Sequence, residues 1–231
     1  CRANDLSVIG KQPDPHFKMR KAIVEFVGTF FLMLIIVIAG VMGKAGDLAG
    51  VAIGLGLMAL IYGGGHVSRA HYNPAITLAF CIRGEISQHE VLPYLIAQFS
   101  SCILGALVGI YLLGPGPAAI ETADLEVFPA LVAEFFFTLA LAWIILQVAM
   151  APGLAGNQVY GLAIGSIVLA AIYCVGDISL AVLNPAVAIG LVIAGKLALS
   201  QLWIPVVASL AGSVTAALLF RLTCCHDDKC C

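Results

Sequence analysis

Six long apolar runs, nearly free of charge, limit what this chain can fold into more than any other feature of its sequence. Each is close to the length of about 20 residues that a helix needs to cross the hydrocarbon core of a bilayer. Helices are expected because their backbone polar groups are satisfied within the segment. The sequence therefore predicts an all-α membrane protein with six transmembrane helices. The runs lie at about 22–42, 48–67, 91–113, 128–149, 158–176 and 200–222.

The composition agrees with an integral, multi-pass membrane protein. Hydrophobic residues make up 61% and charged residues 10% of 231 residues, and the mean hydropathy is +1.06. These values exclude an ordinary soluble domain. The net charge of −2 gives no indication of a nucleic-acid partner, and membrane lipid is the expected surrounding. We expect no cleavable signal peptide, because residues 1–17 are polar and contain two prolines.

The tripeptide Asn-Pro-Ala occurs twice, each time before a short apolar run. The copies are Asn73-Pro74-Ala75 and Asn184-Pro185-Ala186, 111 residues apart. Pro at the first position of a helix gives up only an N–H that would be unpaired anyway. The runs at 74–82 and 185–195 are too short to span a bilayer and are predicted to be re-entrant half-helices. Such backbone is tolerated at membrane depth only when it is packed in protein or lines a watery cavity, which indicates a pore.

The chain also reads as a duplicated unit. Glu25-Phe26-x-x-Thr29 matches Glu134-Phe135-x-x-Thr138 at an offset of 109. Each half holds three spans, an odd number, so the second half enters the membrane inverted, and the functional site is expected at the midplane. The predicted domains are a tail at 1–19, one channel domain at 20–222 built from repeats 20–113 and 128–222 with linker 114–127, and a Cys-rich tail at 223–231.

The basic residues predict the orientation. Of eleven Lys and Arg residues, all but Lys44 and Lys196 fall on the side that six spans assign to the two termini. Because cytoplasmic loops are enriched in Lys and Arg, both termini are predicted to be cytoplasmic. Nothing in the sequence indicates which membrane holds the protein.

Several motifs together resemble the aquaporin and aquaglyceroporin family, the major intrinsic proteins, from about residue 20 to 222. The resemblance implies six tilted helices and two half-helices that meet at the midplane. It also implies a homotetramer with one pore per subunit, water and small neutral solutes as the transported molecules, and no cofactor. The matching stretches are Glu25-Phe-Val-Gly-Thr-Phe30, Gly65-His-Val-Ser68, Ala70-His-Tyr-Asn-Pro-Ala-Ile-Thr77, Ala97-Gln98, Ala133-Glu-Phe135 and Leu183-Asn-Pro-Ala186.

The midplane of such a pore would hold a positive electrostatic field and hydrogen-bond donors. Two half-helix N-termini, each carrying roughly half a positive charge, would face the same point. Asn73 and Asn184 add amide donors there, which would orient a passing oxygen and interrupt the donor chain that protons need. Cations would meet this positive field and a large desolvation cost.

Charged and titratable residues near the re-entrant segments leave more than one role open. Glu25 and Glu134 lie inside spans and could bind a cation or accept backbone N–H groups of the re-entrant loops; their duplication favours the second role. His66, Arg69 and His71 are expected near the cytoplasmic mouth. The histidines could be structural or pH-sensing, and Arg69 could plug the mouth or lie in solvent.

The resemblance also places a selectivity filter and reveals a departure. By the family's spacing from the two Asn residues, the filter positions are Ile53, Ile172, Ala181 and Val187. Most members have Arg where this chain has Val187. The expected filter is therefore apolar, without the N–H donors and fixed charge of an arginine. Other residues near the filter give conflicting indications, so the sequence does not decide whether the channel prefers water or glycerol.

The cysteines carry weaker indications. Cys174 is predicted close to the outer filter and is a candidate for thiol block. The tail could bind a metal, could be palmitoylated, or could have no assigned role, and its adjacent pairs lack the usual spacing of a structural zinc site. The candidate metal ligands are Cys224, Cys225, His226, Cys230 and Cys231.

The predicted function is a passive transmembrane channel for water and small uncharged solutes, such as glycerol, urea or ammonia, that excludes ions and protons. The alternative is a secondary transporter, which also uses inverted repeats and broken helices but would normally carry an ion-coupling acid at the midplane. An enzyme is not expected, because no cluster of His, Asp or Ser faces a common cavity in the sequence pattern.

Overall fold

The computed structural model describes residues 15–114 and 120–224, and this part of the chain folds into helices. Six of the helical segments are long and apolar enough to cross a membrane, at 18–41, 46–68, 88–112, 127–150, 160–179 and 199–224. The predicted all-α membrane fold is confirmed. The α-helices are α1 (Pro15–Ile35), α2 (Ala49–Ser68), α3 (Pro74–Ile82), α4 (Gln88–Leu113), α5 (Val127–Met150), α6 (Tyr160–Ser179), α7 (Pro185–Ile193) and α8 (Trp203–Cys224).

The two short helices, α3 and α7, begin in the same way. Asn73 and Asn184 precede them in an extended conformation, with φ of −156° and −155°. Each Asn side-chain oxygen accepts the N–H of the alanine two residues on, at 2.9 Å. A proline then occupies the first helical position, where its missing N–H costs nothing.

Helix packing repeats between the two halves of the chain. The α1 helix packs against α4, and α5 packs against α8 in the same relation. The second helices of the two halves, α2 and α6, pack against each other across the centre. Gly54 and Gly165 lie at this crossing, where a Cβ on either residue would come within 2.9 Å or less of the other residue's carbonyl oxygen. The absence of side chains at this pair allows the close approach.

Three boundaries differ from those expected from the sequence. The α1 helix begins at Pro15, ahead of residue 20, and it continues into a π-helical turn at Ile36–Val41. The second half-helix ends at Ile193 rather than near 195. The α6 helix extends to Ser179, beyond the run expected at 158–176, and therefore includes Asp177.

Candidate functional site

A cavity of about 620 Å³ runs between the helices and reaches both re-entrant segments. Its wall combines aliphatic side chains from α1, α2, α5 and α6 with a few polar groups. The sequence-predicted residues that line it are Asn73, Asn184, Ile53, Ile172, Ala181, Val187 and His71.

The two asparagines hold the re-entrant segments to each other. Asn73 Nδ2 donates to the carbonyl oxygen of Leu183 at 2.8 Å, and Asn184 Nδ2 donates to the carbonyl oxygen of Tyr72 at 2.9 Å. An amide nitrogen carries two N–H groups, so each Asn keeps a second donor after this bond. Both residues line the cavity, where that second donor can serve a passing oxygen.

The backbone before each half-helix takes an unusual conformation. Three non-glycine residues in each segment have positive φ, and the two sets are 111 residues apart. Such residues cost of the order of 1–3 kcal/mol each and persist only where the surroundings hold them. They are Arg69 (67°), Ala70 (50°) and Tyr72 (49°), and Leu180 (68°), Ala181 (46°) and Leu183 (52°).

Two buried carboxylates hold these strained segments. Glu25 on α1 accepts the N–H groups of His71 at 2.9 Å and Tyr72 at 2.7 Å, and it also accepts bonds from Ser68 Oγ and Gln98 Nε2. A carboxylate can accept several bonds at once, so one side chain satisfies donors that the segment's fold leaves unpaired.

The second carboxylate repeats this arrangement. Glu134 on α5 accepts the N–H groups of Val182 and Leu183, both at 2.7 Å, and the hydroxyl of Ser179 at 2.7 Å. Neither carboxylate is among the residues that line the cavity. This geometry matches the loop-supporting role of the two alternatives considered for these acids.

The first re-entrant segment has a further polar network that the second lacks. Thr77 Oγ1 lies 3.0 Å from Gln98 Nε2, 3.1 Å from His71 Nδ1 and 3.1 Å from the Asn73 carbonyl oxygen. The residues 111 positions after His71 and Thr77 are Val182 and Ala188, which cannot make these bonds. Sequence reasoning quoted Gln98 only as part of a motif; a glutamine within an apolar span was the signal that could have found this network.

The four predicted filter residues come from α2, α6, the second re-entrant segment and α7. No arginine within residues 15–114 and 120–224 lines the cavity. Arg69 instead forms an ion pair with Glu85, with 2.6 Å between Nη1 and Oε2. Cys174 is exposed on α6, two residues after Ile172, and its side chain is not among those that line the cavity.

The residues predicted at the cytoplasmic mouth surround a second, smaller cavity. His66, Arg69 and His71 line this space of about 310 Å³ together with Lys21 and Glu85. The His71 side chain lines both cavities and is nearly buried, with 5% of its surface exposed.

The Cys-rich tail lies almost entirely outside the described residues. Cys224 is the last residue of α8, with its Sγ 3.6 Å from Gln147 Oε1. Cys225, His226, Cys230 and Cys231 lie beyond it and are not described. In the described ranges, no group of three or more His, Cys, Asp or Glu residues is placed to hold a metal ion.

Six membrane-spanning helices around a cavity at which two half-helices meet define a membrane channel of the aquaporin-like fold. The sequence family model for the major intrinsic proteins matches residues 13–171 and 147–229. The chain therefore belongs to the major intrinsic protein family.

Curated relatives and a solved structure agree with this assignment. Aquaporin NIP1-1 of Oryza sativa subsp. japonica is 34% identical over 222 residues, which cover 88% of this chain and 74% of the relative. Aquaporin NIP1-1 of Arabidopsis thaliana is 33% identical over 232 residues, which cover 91% and 75%. The X-ray structure of the aquaglyceroporin from Plasmodium falciparum superposes with a TM-score of 0.77 at 22% identity, covering 90% of this chain and 97% of that one, which supports the fold.

The family assignment confirms the predicted class of function. The protein is an integral membrane channel through which water and small solutes pass passively, and it is not an enzyme. The alternative of an ion-coupled secondary transporter finds no support in the family match or in the relatives.

Proposed function

We propose that this channel conducts small uncharged solutes as well as water, and that solute conduction is at least comparable in importance to water conduction. We further propose that it excludes ions and protons. Glycerol, urea and ammonia are the test solutes. The observation that carries the proposal is the chemistry of the predicted filter. All four of its residues line the cavity and all four are aliphatic. The filter residues are Ile53, Ile172, Ala181 and Val187.

An aliphatic filter changes the balance between water and larger solutes. Water loses hydrogen bonds on entering a filter without donors, and this loss disfavours its passage. A solute with carbon atoms loses less, because its apolar surface leaves water favourably. Pore diameter and lining donors set selectivity in channels of this kind, so replacing Arg by Val187 favours solutes relative to water.

With no charged residue in the predicted filter, ions are excluded by the groups at the midplane. The N-termini of α3 and α7 are both capped by asparagines that line the cavity, and each helix contributes roughly half a positive charge there. A cation would approach this field after leaving most of its water, which is costly in a narrow apolar passage. The remaining N–H of each Asn amide offers a bond to an oxygen, so a neutral solute or a water molecule is accepted.

The test is stopped-flow permeability of proteoliposomes for water, glycerol, urea and ammonia, with a pH-sensitive dye to follow proton flux. The wild-type protein should pass water and at least one of the solutes, with no proton flux above that of empty liposomes. Val187→Arg should lower the glycerol-to-water permeability ratio by about tenfold, roughly the effect of 1.4 kcal/mol on one barrier. The arginine narrows the passage and restores donors that suit water.

Val187→Leu is the matched control, since it also enlarges the side chain but adds no donor or charge. It should lower both permeabilities with a smaller change in their ratio. A wild-type channel that passes water but none of the solutes contradicts the proposal, as does a Val187→Arg variant with an unchanged ratio.

We further propose that the channel assembles as a homotetramer with both termini in the cytoplasm. The orientation is supported by the distribution of Lys and Arg, because the loops and termini assigned to the cytoplasm hold nearly all of them. The assembly is supported by the resemblance to the family, whose members form tetramers with one pore per subunit.

A further inference from the structure

Each residue of the predicted outer filter has a counterpart in the other repeat at one constant offset of 111. We call Ile53, Ile172, Ala181 and Val187 the outer ring. Their counterparts, which we call the inner ring, are Ile164, Ile61, Ala70 and Ile76. All eight residues line the 620 Å³ cavity.

The inverted relation of the two repeats predicts that the rings lie on opposite sides of the asparagines. Ile53 and Ile61 are eight residues apart on α2, and Ile164 and Ile172 are eight residues apart on α6. At 1.5 Å per residue, the rings are separated by about 12 Å along each of these helices. The two helices cross at Gly54 and Gly165, so α2 and α6 each contribute one isoleucine to each ring.

Two of the four pairs are similarly enclosed. Ile53 and its counterpart Ile164 are both 7% exposed, and Ala181 and Ala70 are 8% and 9% exposed. In a third pair the inner residue is the more buried, because Ile61 is 3% exposed whereas Ile172 is half-buried. The alanines occupy equivalent strained positions, with φ of 46° and 50°. The inner ring therefore places the same kind of side chain, in the same backbone setting, around the same cavity.

One difference between the rings makes the inner one the bulkier. Val187 in the outer ring corresponds to Ile76 in the inner ring, which adds one methylene. Ile76 is 1% exposed and Val187 is 4% exposed. The aliphatic side chains of a ring offer a solute no hydrogen bonds, so width and the loss of solute hydrogen bonds set the resistance there. The inner ring should therefore resist solutes at least as strongly as the outer ring.

We propose that Ile61, Ala70, Ile76 and Ile164 form a second solute filter that acts in series with the outer ring and helps to set the specificity of the channel. This inference rests on the proposed conduction of small uncharged solutes. A solute crosses one apolar ring, exchanges hydrogen bonds at Asn73 and Asn184, and crosses the second ring.

Two filters in series have a consequence that a single filter does not. The resistances of the rings add, so widening one ring leaves the resistance of the other in place. If the rings contribute equally, a substitution in one of them raises solute flux by at most about twofold. Substitutions in both rings together raise the flux by more than the product of the two single effects.

The experiment compares glycerol permeability of proteoliposomes containing Ile61→Ala, Ile172→Ala and the double variant. Both single variants should exceed the wild type, and the double variant should exceed the product of the two gains. A double substitution within one ring, Ile53→Ala with Ile172→Ala, should not exceed its product, because the inner ring still limits the flux. Leu55→Ala and Leu162→Ala are matched controls on the same two helices, since both leucines are exposed and neither lines the cavity.

Ile76→Val is the mildest variant, since it removes one methylene and makes the inner ring equal in composition to the outer ring. It should raise glycerol flux. It still tests the proposal if an alanine variant fails to fold. Inner-ring variants that fold and match the wild type, while Ile172→Ala raises the flux, overturn this inference and leave the proposed function in place. A wild-type channel that passes none of the solutes overturns both.

Discussion

At the scale of single residues, the carboxylates of Glu25 and Glu134 explain how strained backbone can persist at membrane depth. Each is fully buried and each accepts two backbone N–H groups from a re-entrant segment. The hydrocarbon of a bilayer offers these N–H groups no acceptor, and the two carboxylates supply a fixed one from within the protein. The same bonds hold the non-glycine residues of each segment at positive φ.

Replacing Glu134 by alanine should therefore collapse the second re-entrant segment. The substitution leaves the Val182 and Leu183 N–H groups without their acceptor, at about 1–3 kcal/mol for each unpaired group. It also removes the shorter bond of the Ser179 hydroxyl, which keeps the Val175 carbonyl oxygen at 3.4 Å. Thermal unfolding in detergent should occur at a clearly lower temperature, and water permeability should fall. Glu126→Ala is the control, because Glu126 is exposed and its side chain does not cap α5. Equal unfolding temperatures for the two variants would contradict this role for Glu134.

At the scale of elements, the close crossing of α2 and α6 sets the width of the cavity. Ile53 and Ile164 are each next to a glycine of the crossing, so the distance between the helices also sets the distance between ring residues. A Cβ on Gly165 would lie 2.5 Å from the carbonyl oxygen of Gly54, which is fixed backbone and cannot rotate away.

Gly165→Ala should consequently force the two helices apart, lower the unfolding temperature and change solute permeability. Gly63→Ala on α2 is the matched control, since a Cβ there meets nothing within 4 Å. Alanine favours a helix over glycine by up to about 1 kcal/mol, so this control should be neutral or slightly stabilising. Gly165→Ala should lower the unfolding temperature, whereas Gly63→Ala should leave it unchanged or raise it slightly. Shifts of the same size and sign would refute the role given to the crossing.

The features of these elements that could be predicted are those set by the local sequence. Asn-Pro places the start of a half-helix correctly, because the cap and the proline act on the residues next to them. Hydropathy finds the spans to within a few residues. The π-helical turn at Ile36–Val41 and the true end of α6 could not be predicted, because they depend on packing between distant segments. The bonds of Thr77 with Gln98 and the position of Cys174 away from the cavity depend on helix rotation, which overall hydrophobicity does not determine.

At the scale of the whole molecule, the inverted repeat places loops of different charge at the two ends of the bundle. Lys44 follows α1, and Lys18 lies within its first turns, so the two lysines belong to opposite ends of the same span. The proposed orientation puts Lys44 outside and Lys18 in the cytoplasm.

A membrane-impermeant amine reagent should therefore label Lys44 in intact cells and Lys18 only after permeabilisation. Peptide mass spectrometry of the purified protein identifies which lysine carries the label. Lys196, on the same predicted side as Lys44, provides an internal comparison, although its Nζ donates to the Glu121 carbonyl oxygen at 3.2 Å. Labelling of Lys18 in intact cells without labelling of Lys44 would contradict the proposed orientation and indicate the opposite one.

The reciprocal bonds between the two asparagines and the facing carbonyl oxygens also bear on how the chain is made. The Tyr72 carbonyl leaves the ribosome 112 residues before its partner Asn184, and the Asn73 amide leaves it 110 residues before its partner Leu183. At roughly 5–20 residues per second, that delay is about 5 to 20 seconds. Throughout it, the Tyr72 carbonyl and the Asn73 amide lack the partners that they bind in the complete fold. A chain whose synthesis stops in this interval cannot form either bond. The contact between the two re-entrant segments therefore forms only after both repeats have been synthesised.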